Sequence, residues 1–112
     1  MKVIALFSAL LLPTSAFAAG GRCSGSWNDD RCICIDNNEC RRYGGDPIQG
    51  SPGDWPCPSD PDNVWGCWVW DNCPGLDSST GCMWRNGCIA NRGTVRREEV
   101  CPGGVDFICC DF

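Results

Sequence analysis

Cysteine content constrains this chain more than any other feature. The sequence has 12 cysteines in 112 residues, and all of them follow residue 22. A dense, even set of cysteines is typical of a small domain that is cross-linked in an oxidising compartment. We therefore expect six disulfides, each of which contributes roughly 2–4 kcal/mol by restricting the unfolded chain.

The N-terminal segment predicts export. Lys2 precedes an almost unbroken apolar run over residues 3–12, and residues 16–18 form an A-x-A cleavage pattern. The apolar run is too short to cross a bilayer, which takes about 20 residues. We predict a signal peptide at residues 1–18 and a mature, secreted, extracellular domain at residues 19–112.

The mature composition excludes several classes of protein. Without Lys2, eight arginines face 14 acidic residues, a net charge of −6, and the chain has no histidine. A nucleic-acid binder or a membrane-lysing peptide needs the opposite charge. Few large aliphatic side chains remain, so hydrophobic burial alone is a weak source of stability for a domain of this size.

The catalytic repertoire of the mature chain is narrow, because without His and Lys it lacks an imidazole base and a Schiff-base amine. Carboxylate pairs such as Asp60/Asp62 or Glu98/Glu99 can in principle hydrolyse glycosides. Adjacent acids on loops rich in Gly and Pro are far more often solvated surface. We predict a protein without enzymatic activity and without a cofactor.

Cysteine spacing divides the mature chain into two halves, residues 23–67 and 73–110. Each half opens with C-x8-C, contains C-x5-C, reaches a Cys-Pro pair and closes with a further cysteine. The pattern indicates two degenerate six-cysteine repeats, although coincidence in a cysteine-dense chain is the alternative. A true repeat predicts bridges mostly within each half, with Cys109 and Cys110 bound to different partners.

Regular secondary structure should be sparse and mostly β, since Gly and Pro are scattered through the chain. The best predicted strand covers residues 64–70, and weaker ones cover residues 31–35, 94–97 and 105–110. A helical turn is expected only around residues 96–100. The predicted fold class is a small disulfide-rich protein of strands and loops.

Six tryptophans are a heavy load for such a thin core. Alternation over residues 64–70 places Cys67 on the core side with Trp65, and Trp68 and Trp70 on the opposite, exposed face. One interpretation is that the rings pack over disulfides. In the other, Trp68 and Trp70 stack on sugar rings while polar side chains at the strand ends bind hydroxyls; these are Asp62, Asn63, Asp71 and Asn72.

Metal binding is a weaker alternative. Thiolates of Cys32, Cys34, Cys109 and Cys110 suit a soft ion, but export and the even cysteine count favour disulfides. Residues 60–63 lack the full ligand set of a calcium loop. No metal ligand is therefore predicted.

The C-terminal third carries one resemblance to a known family. Residues 82–88 form C-M-W-R-N-G-C, and residues 101–110 form C-P-G-G-V-D-F-I-C-C. This pattern resembles the small C-x5-C…C-P-G…C-C module that accompanies secreted fungal and actinobacterial cell-wall hydrolases. Cys34 to Cys40 with Cys57-Pro58 fits the same pattern more loosely. The resemblance implies an accessory or wall-targeting module, because nothing here resembles a catalytic domain.

The overall build also resembles the small secreted cysteine-rich proteins of fungi, which include effectors. The leading expectation is a monomeric, non-catalytic protein that recognises a cell-wall polysaccharide or glycopeptide through Trp68 and Trp70. The first alternative is a virulence effector or toxin that engages a host protein, with the same rings as interface anchors. The second is an inhibitor of a secreted hydrolase.

Overall fold

All twelve cysteines are paired in the computed structural model, which describes residues 20–69 and 72–112. The predicted signal peptide at residues 1–18 lies outside the described residues. The fold class is confirmed, since the described chain forms two small antiparallel sheets and extensive loops that six disulfides cross-link. The bridges are Cys23–Cys32, Cys34–Cys57, Cys40–Cys67, Cys73–Cys109, Cys82–Cys101 and Cys88–Cys110.

The first half contains one strand, a short helix and two further strands. After a 3-10 turn at Gly25–Trp27, the elements are β1 Cys32–Asp36, α1 Asn37–Arg42, β2 Asp46–Ile48 and β3 Val64–Trp68. The sheet order is β1-β3-β2, with both pairs antiparallel. β3 is therefore the central strand.

The second half repeats this arrangement. Its elements are β4 Thr80–Trp84, α2 Arg85–Ala90, β5 Thr94–Val95 and β6 Phe107–Asp111. The sheet order β4-β6-β5 again places the last strand between the other two. Both halves thus have the same element order and the same sheet topology.

The disulfides occupy matching places in the two halves. One bridge joins the first strand to the long loop before the last strand, and a second joins the helix to the last strand. These pairs are Cys34–Cys57 with Cys82–Cys101, and Cys40–Cys67 with Cys88–Cys110. All six bridges lie within the halves, and Cys109 and Cys110 have different partners, so the predicted pairing pattern is confirmed.

The third bridge of each half differs. Cys23 reaches the first strand at Cys32, whereas Cys73 reaches the last strand at Cys109. In the last strand of each half, Gly66 and Cys109 hold the same place, just before the cysteine that bridges to the helix. Cys34 pairs with Gly66 and Cys82 pairs with Cys109, so Cys34 and Cys82 are equivalent positions. The C-x8-C spacings at the start of the two halves are therefore not equivalent, while the C-x5-C spacings are.

Local sequence explains the helix boundaries of the first half. Asp36 caps α1, since its carboxylate accepts from the backbone N–H of Asn38 at 2.8 Å and of Glu39 at 3.2 Å. Gly44, with φ 76°, then turns the chain in the left-handed conformation after the helix. Arg92 takes the matching position after α2 with φ 62°.

The two halves share one core. Ile33 and Cys67 from the first half and Cys82 and Phe107 from the second belong to a single buried cluster. The indole of Trp84 packs edge-on against Phe107 at 5.0 Å and donates its Nε1 hydrogen bond across the boundary to the Cys32 carbonyl at 2.9 Å. No helix among the described residues is long and apolar enough to cross a membrane.

Sequence patterning located strands better than helices. The strands expected at residues 31–35, 64–70, 94–97 and 105–110 match β1, β3, β5 and β6, with shifted or shorter bounds. The helical turn expected around residues 96–100 is wrong, because Arg96 extends from β5 and hydrogen-bonds the Cys109 carbonyl. Both real helices follow the first strand of a half and are too short to show a periodicity.

Because every bridge lies within one half, the two halves should separate covalently once the chain is cut between Cys67 and Cys73. A protease site inserted after Asp71, followed by cleavage and denaturation without reductant, should give two fragments by mass spectrometry. A single linked species would contradict the pairing.

Two glycines lie at matching positions against the helix disulfides. A Cβ at Gly93 would lie 2.3 Å from the Cys110 Sγ and 3.0 Å from the Cys88 Sγ, while one at Gly45 would lie 2.7 Å from the Cys67 Sγ. Gly93→Ala should therefore lower the free energy of unfolding by about 1–3 kcal/mol. Gly104→Ala, which has open space, serves as the control in non-reducing denaturant titrations. Equal stability of the two variants would contradict this packing.

Candidate binding cleft

The loop between β2 and β3, residues 49–63, is fixed to the sheet at its middle. The Cys34–Cys57 bridge joins it to β1. A tight turn precedes that bridge, where the Asp54 N–H donates to the Ser51 carbonyl at 2.9 Å and Gly53 has φ 87°. Pro followed by Gly suits the two central positions of this turn.

Asp54 joins the same loop to the N-terminal 3-10 turn. Its carboxylate accepts from the backbone N–H of Ser26 at 3.0 Å and from the Ser26 hydroxyl. These bonds, the hydroxyl's first, hold the pKa of Asp54 below its ordinary value. The Asp54 carbonyl also accepts from the Trp27 Nε1 at 3.1 Å. The residue before Trp55 therefore has a fixed position on three counts.

Trp65 is oriented by a bond within its own turn. Its Nε1 donates to the Asp62 carbonyl at 2.9 Å, and the Val64 N–H closes the turn onto Pro61 at 3.0 Å. Trp65 lies near the start of β3, where it pairs with Ile35 of β1 but has no partner in β2, and its side chain is half-buried. This hydrogen bond fixes the orientation of the half-buried indole.

These segments enclose a cleft of about 440 Å³, which we term the tryptophan cleft. Trp55 is 42% exposed, the only tryptophan of the described residues among the exposed large hydrophobic side chains. Its neighbours Pro56 and Cys57 are buried, so the backbone beneath the ring is fixed. The cleft is lined by Gln49, Trp55, Cys57, Pro58, Asp60, Pro61, Asp62, Val64 and Trp65.

Asp60 is the unusual polar group of the tryptophan cleft. Its Oδ1 atom is buried and accepts no hydrogen bond among the described residues. Burial raises the pKa of this carboxyl above its ordinary value of 3.8. A buried polar atom without a partner is costly. Because Oδ1 is closed to solvent, a ligand hydroxyl in the cleft would meet this carboxylate at Oδ2.

The tryptophan cleft combines two kinds of binding group. The faces of indole rings suit the apolar faces of sugar rings, which carry C–H groups. Stacking of the two removes water from little polar surface. Carboxylates and the Gln49 amide bind hydroxyl groups, since they accept or donate hydrogen bonds. Because the loop is cross-linked, little conformational entropy is lost when a ligand binds.

The expected exposure of Trp68 is wrong. Trp68 is half-buried, packs against the cluster of Cys23, Cys32 and Val64, and has a buried Nε1 without a partner among the described residues. β3 is a central strand with a core cluster on each face, so alternation does not create a solvent face there. Trp65, expected to be buried, is likewise half-buried and packs against none of the core clusters of the described residues.

The other predicted ligand residues are dispersed. Asp62 lines the tryptophan cleft. Asn63 donates to the Asp36 carboxylate at 2.7 Å, and Asn72 donates to the Cys73 carbonyl at 3.1 Å, so both side chains serve the scaffold. Trp70 and Asp71 lie outside the described residues, and their predicted role stays a prediction.

Sequence reasoning missed Gln49, Trp55 and Asp60 as members of one site. A usable signal was present for Trp55, which follows the Ser-Pro-Gly-Asp turn and precedes Pro56-Cys57. An aromatic residue between a turn and a cross-linked loop is not part of a strand, and its ring has few core side chains to pack against. No sequence signal indicates that Gln49 and Asp60 lie beside it.

The four cysteines considered as metal ligands, Cys32, Cys34, Cys109 and Cys110, are all disulfide-bonded. Comparison with known proteins found no matching family model, no matching curated protein and no matching solved structure. Inference of function therefore depends on the geometry and chemistry of the surface.

The raised pKa of Asp60 predicts a particular dependence of stability on pH. The folded state binds this proton more tightly than the unfolded state. The loss of stability caused by ionising buried Asp60 is therefore absent below pH 3.8 and grows as pH rises through the titration range of the folded carboxyl. Asp60→Asn should therefore gain stability relative to the wild type as pH is raised to neutral. Thermal unfolding across this range measures the difference.

The exposed residue Asp106 offers a matched control, since Asp106→Asn removes the same charge outside the tryptophan cleft. A constant difference between Asp60→Asn and the wild type at all pH values would contradict the burial of an ionisable Asp60.

Proposed function

We propose that this protein is a secreted, non-catalytic binding protein that recognises a cell-wall polysaccharide or glycopeptide at the tryptophan cleft. The observation that carries the proposal is the pair of indoles, Trp55 and Trp65, that line one cleft. The backbone before Trp55 is held through Asp54, and the Trp65 indole is held by its bond to the Asp62 carbonyl. Six disulfides are typical of a protein that works in an oxidising, extracellular environment. The predicted signal peptide supports secretion.

Stacking on Trp55 is the first part of the proposed mechanism. A sugar ring that lies against this exposed indole buries apolar surface on both partners. Trp65 offers a second ring in the same cleft, at a position set by its bond to Asp62. Two rings in one cleft favour an extended ligand over a single sugar.

Hydroxyl recognition is the second part. Asp60, Asp62 and Gln49 line the same cleft and offer carboxylate and amide groups to a ligand. These groups favour a hydroxyl-rich, uncharged ligand, because two carboxylates repel an anionic one. Binding should therefore be directed to neutral sugars of the polymer.

The tryptophan cleft predicts which substitutions remove binding. Trp55→Ala should weaken binding to insoluble polysaccharide about tenfold or more, because it deletes the most exposed stacking surface. Trp65→Ala should act in the same direction. Pull-down with chitin, cellulose, β-1,3-glucan and peptidoglycan measures binding, and circular dichroism checks the fold.

The matched control is Phe112→Ala, which removes an aromatic ring that is 60% exposed and lies outside the tryptophan cleft. Unchanged binding by folded Trp55→Ala and Trp65→Ala would contradict the proposed site. If the wild type binds none of the four polysaccharides, the result favours the alternatives, in which Trp55 anchors an interface with a host protein or a secreted hydrolase.

A further inference from the structure

The matching topology of the two halves leads to a second cleft. The loop between β5 and β6 encloses about 540 Å³, and its position in the second half matches that of the tryptophan cleft in the first. Strand register makes Arg97 the counterpart of Gln49, Phe107 that of Val64, and Ile108 that of Trp65. The loop cysteines, Cys57 and Cys101, also correspond.

The second cleft has a different charge from the first. Arg85, Arg96 and Arg97, three of the eight arginines in the chain, line it together. We term it the arginine cleft. Glu98 and Glu99 line it too, so three positive side chains stand against two negative ones, a net charge of +1 in a chain of net charge −5.

The protein neutralises Arg96 with two acids, and Glu99 is the one other acidic side chain of the lining beside Arg85 and Arg97. Arg96 pairs with Glu98 at 2.6 Å and with Asp111 at 3.1 Å, and these partners, Glu98 first, raise its pKa. Arg85 donates one bond to the Val105 carbonyl at 3.1 Å, which leaves further N–H groups. Among the described residues, no hydrogen bond or ion pair joins the Arg97 side chain to a protein acceptor.

We propose that the arginine cleft is a second binding site, which takes the carboxylate of an acidic saccharide such as a uronate. The guanidinium groups of Arg85 and Arg97 bind a planar carboxylate through paired N–H donors. Glu99 lies in the same cleft, and its negative charge disfavours a doubly charged phosphate more than a singly charged carboxylate.

The surroundings favour a sugar over an extended peptide. Tyr43 lines the arginine cleft from the first half, and Gly103 and Gly104 line it without side chains, with open space beside Gly104. A peptide that adds to a sheet needs a strand edge, and the edge strand here, Thr94–Val95, has two residues. The site is distinct from the tryptophan cleft and does not depend on the function proposed there.

The test uses trigalacturonate, its methyl-esterified form and triglutamate as probes in calorimetric titrations of the intact protein. Trigalacturonate should bind, and the ester, which keeps the size and hydroxyl groups but loses the charge, should bind at least about tenfold more weakly. Equal binding of the two sugars, or binding of triglutamate as tight as that of trigalacturonate, would overturn the proposal.

Variants locate the site. Arg85→Gln with Arg97→Gln should weaken trigalacturonate binding about tenfold or more. Arg41→Gln with Arg92→Gln, which removes the same charge outside the cleft, should leave it within about twofold. An equal loss in both double variants would mean that net charge alone governs binding, which overturns the site.

Two further measurements keep the result unambiguous. Amide chemical shifts of the unmodified protein should change at Gly103 and Gly104 on titration, whereas changes confined to Gln49 and Trp55 would place the anion in the other cleft and overturn the proposal. Trp55→Ala should bind trigalacturonate as the wild type does. Polysaccharide binding lost in Trp55→Ala and trigalacturonate binding lost in the arginine variant are separate outcomes for the two proposals.

Discussion

The disulfide between the first strand and the long loop of each half determines where a cleft can form. Cys34–Cys57 and Cys82–Cys101 each fix a loop that has little regular structure to the face of a three-stranded sheet. Loops of this length lose substantial conformational entropy when ordered, and the few buried aliphatic side chains do not offset it. The covalent bond removes part of that entropy from the unfolded chain instead, so the loop can leave polar and aromatic side chains in solvent.

In a scaffold of this kind, stability depends on the cross-links more than on the burial of every aromatic ring. In a protein with a large hydrophobic core, an exposed indole on a loop competes with burial in that core. Here cysteines fill most of the core, together with Ile33, Met83 and Phe107. Trp27 and Trp84 contribute to the scaffold through Nε1 bonds to backbone carbonyls, and Trp68 through packing. The Trp55 ring is exposed, since the hydrogen bonds of Asp54 hold the backbone beside it and do not cover the ring.

The sequence predicts much of the disulfide scaffold, but it does not predict the tryptophan cleft. Cysteine number and spacing predict six bridges within two halves, because those properties depend on covalent chemistry and local chain length. The faces of β3 could not be predicted, since alternation assigns side chains to two faces but does not reveal that both faces of a central strand are covered. Gln49 and Asp60 are brought to Trp65 by the fold of a cross-linked loop, and that geometry leaves no periodic trace in the sequence.

The two clefts illustrate how a repeated unit acquires different chemistry at low cost. Gln49 and Trp65 in the first half correspond to Arg97 and Ile108 in the second. The strands have the same register in both halves, and an equivalent disulfide holds each loop. Side chains at the mouth of a loop carry little of the fold's stability, so exchanging them changes charge and shape without disturbing the bridges beneath. By contrast, Gly45 and Gly93 are glycine in both halves, because a side chain there would meet a disulfide sulfur. Positions that touch the cross-links are thus fixed by sterics, whereas positions above them are free to vary in charge and shape.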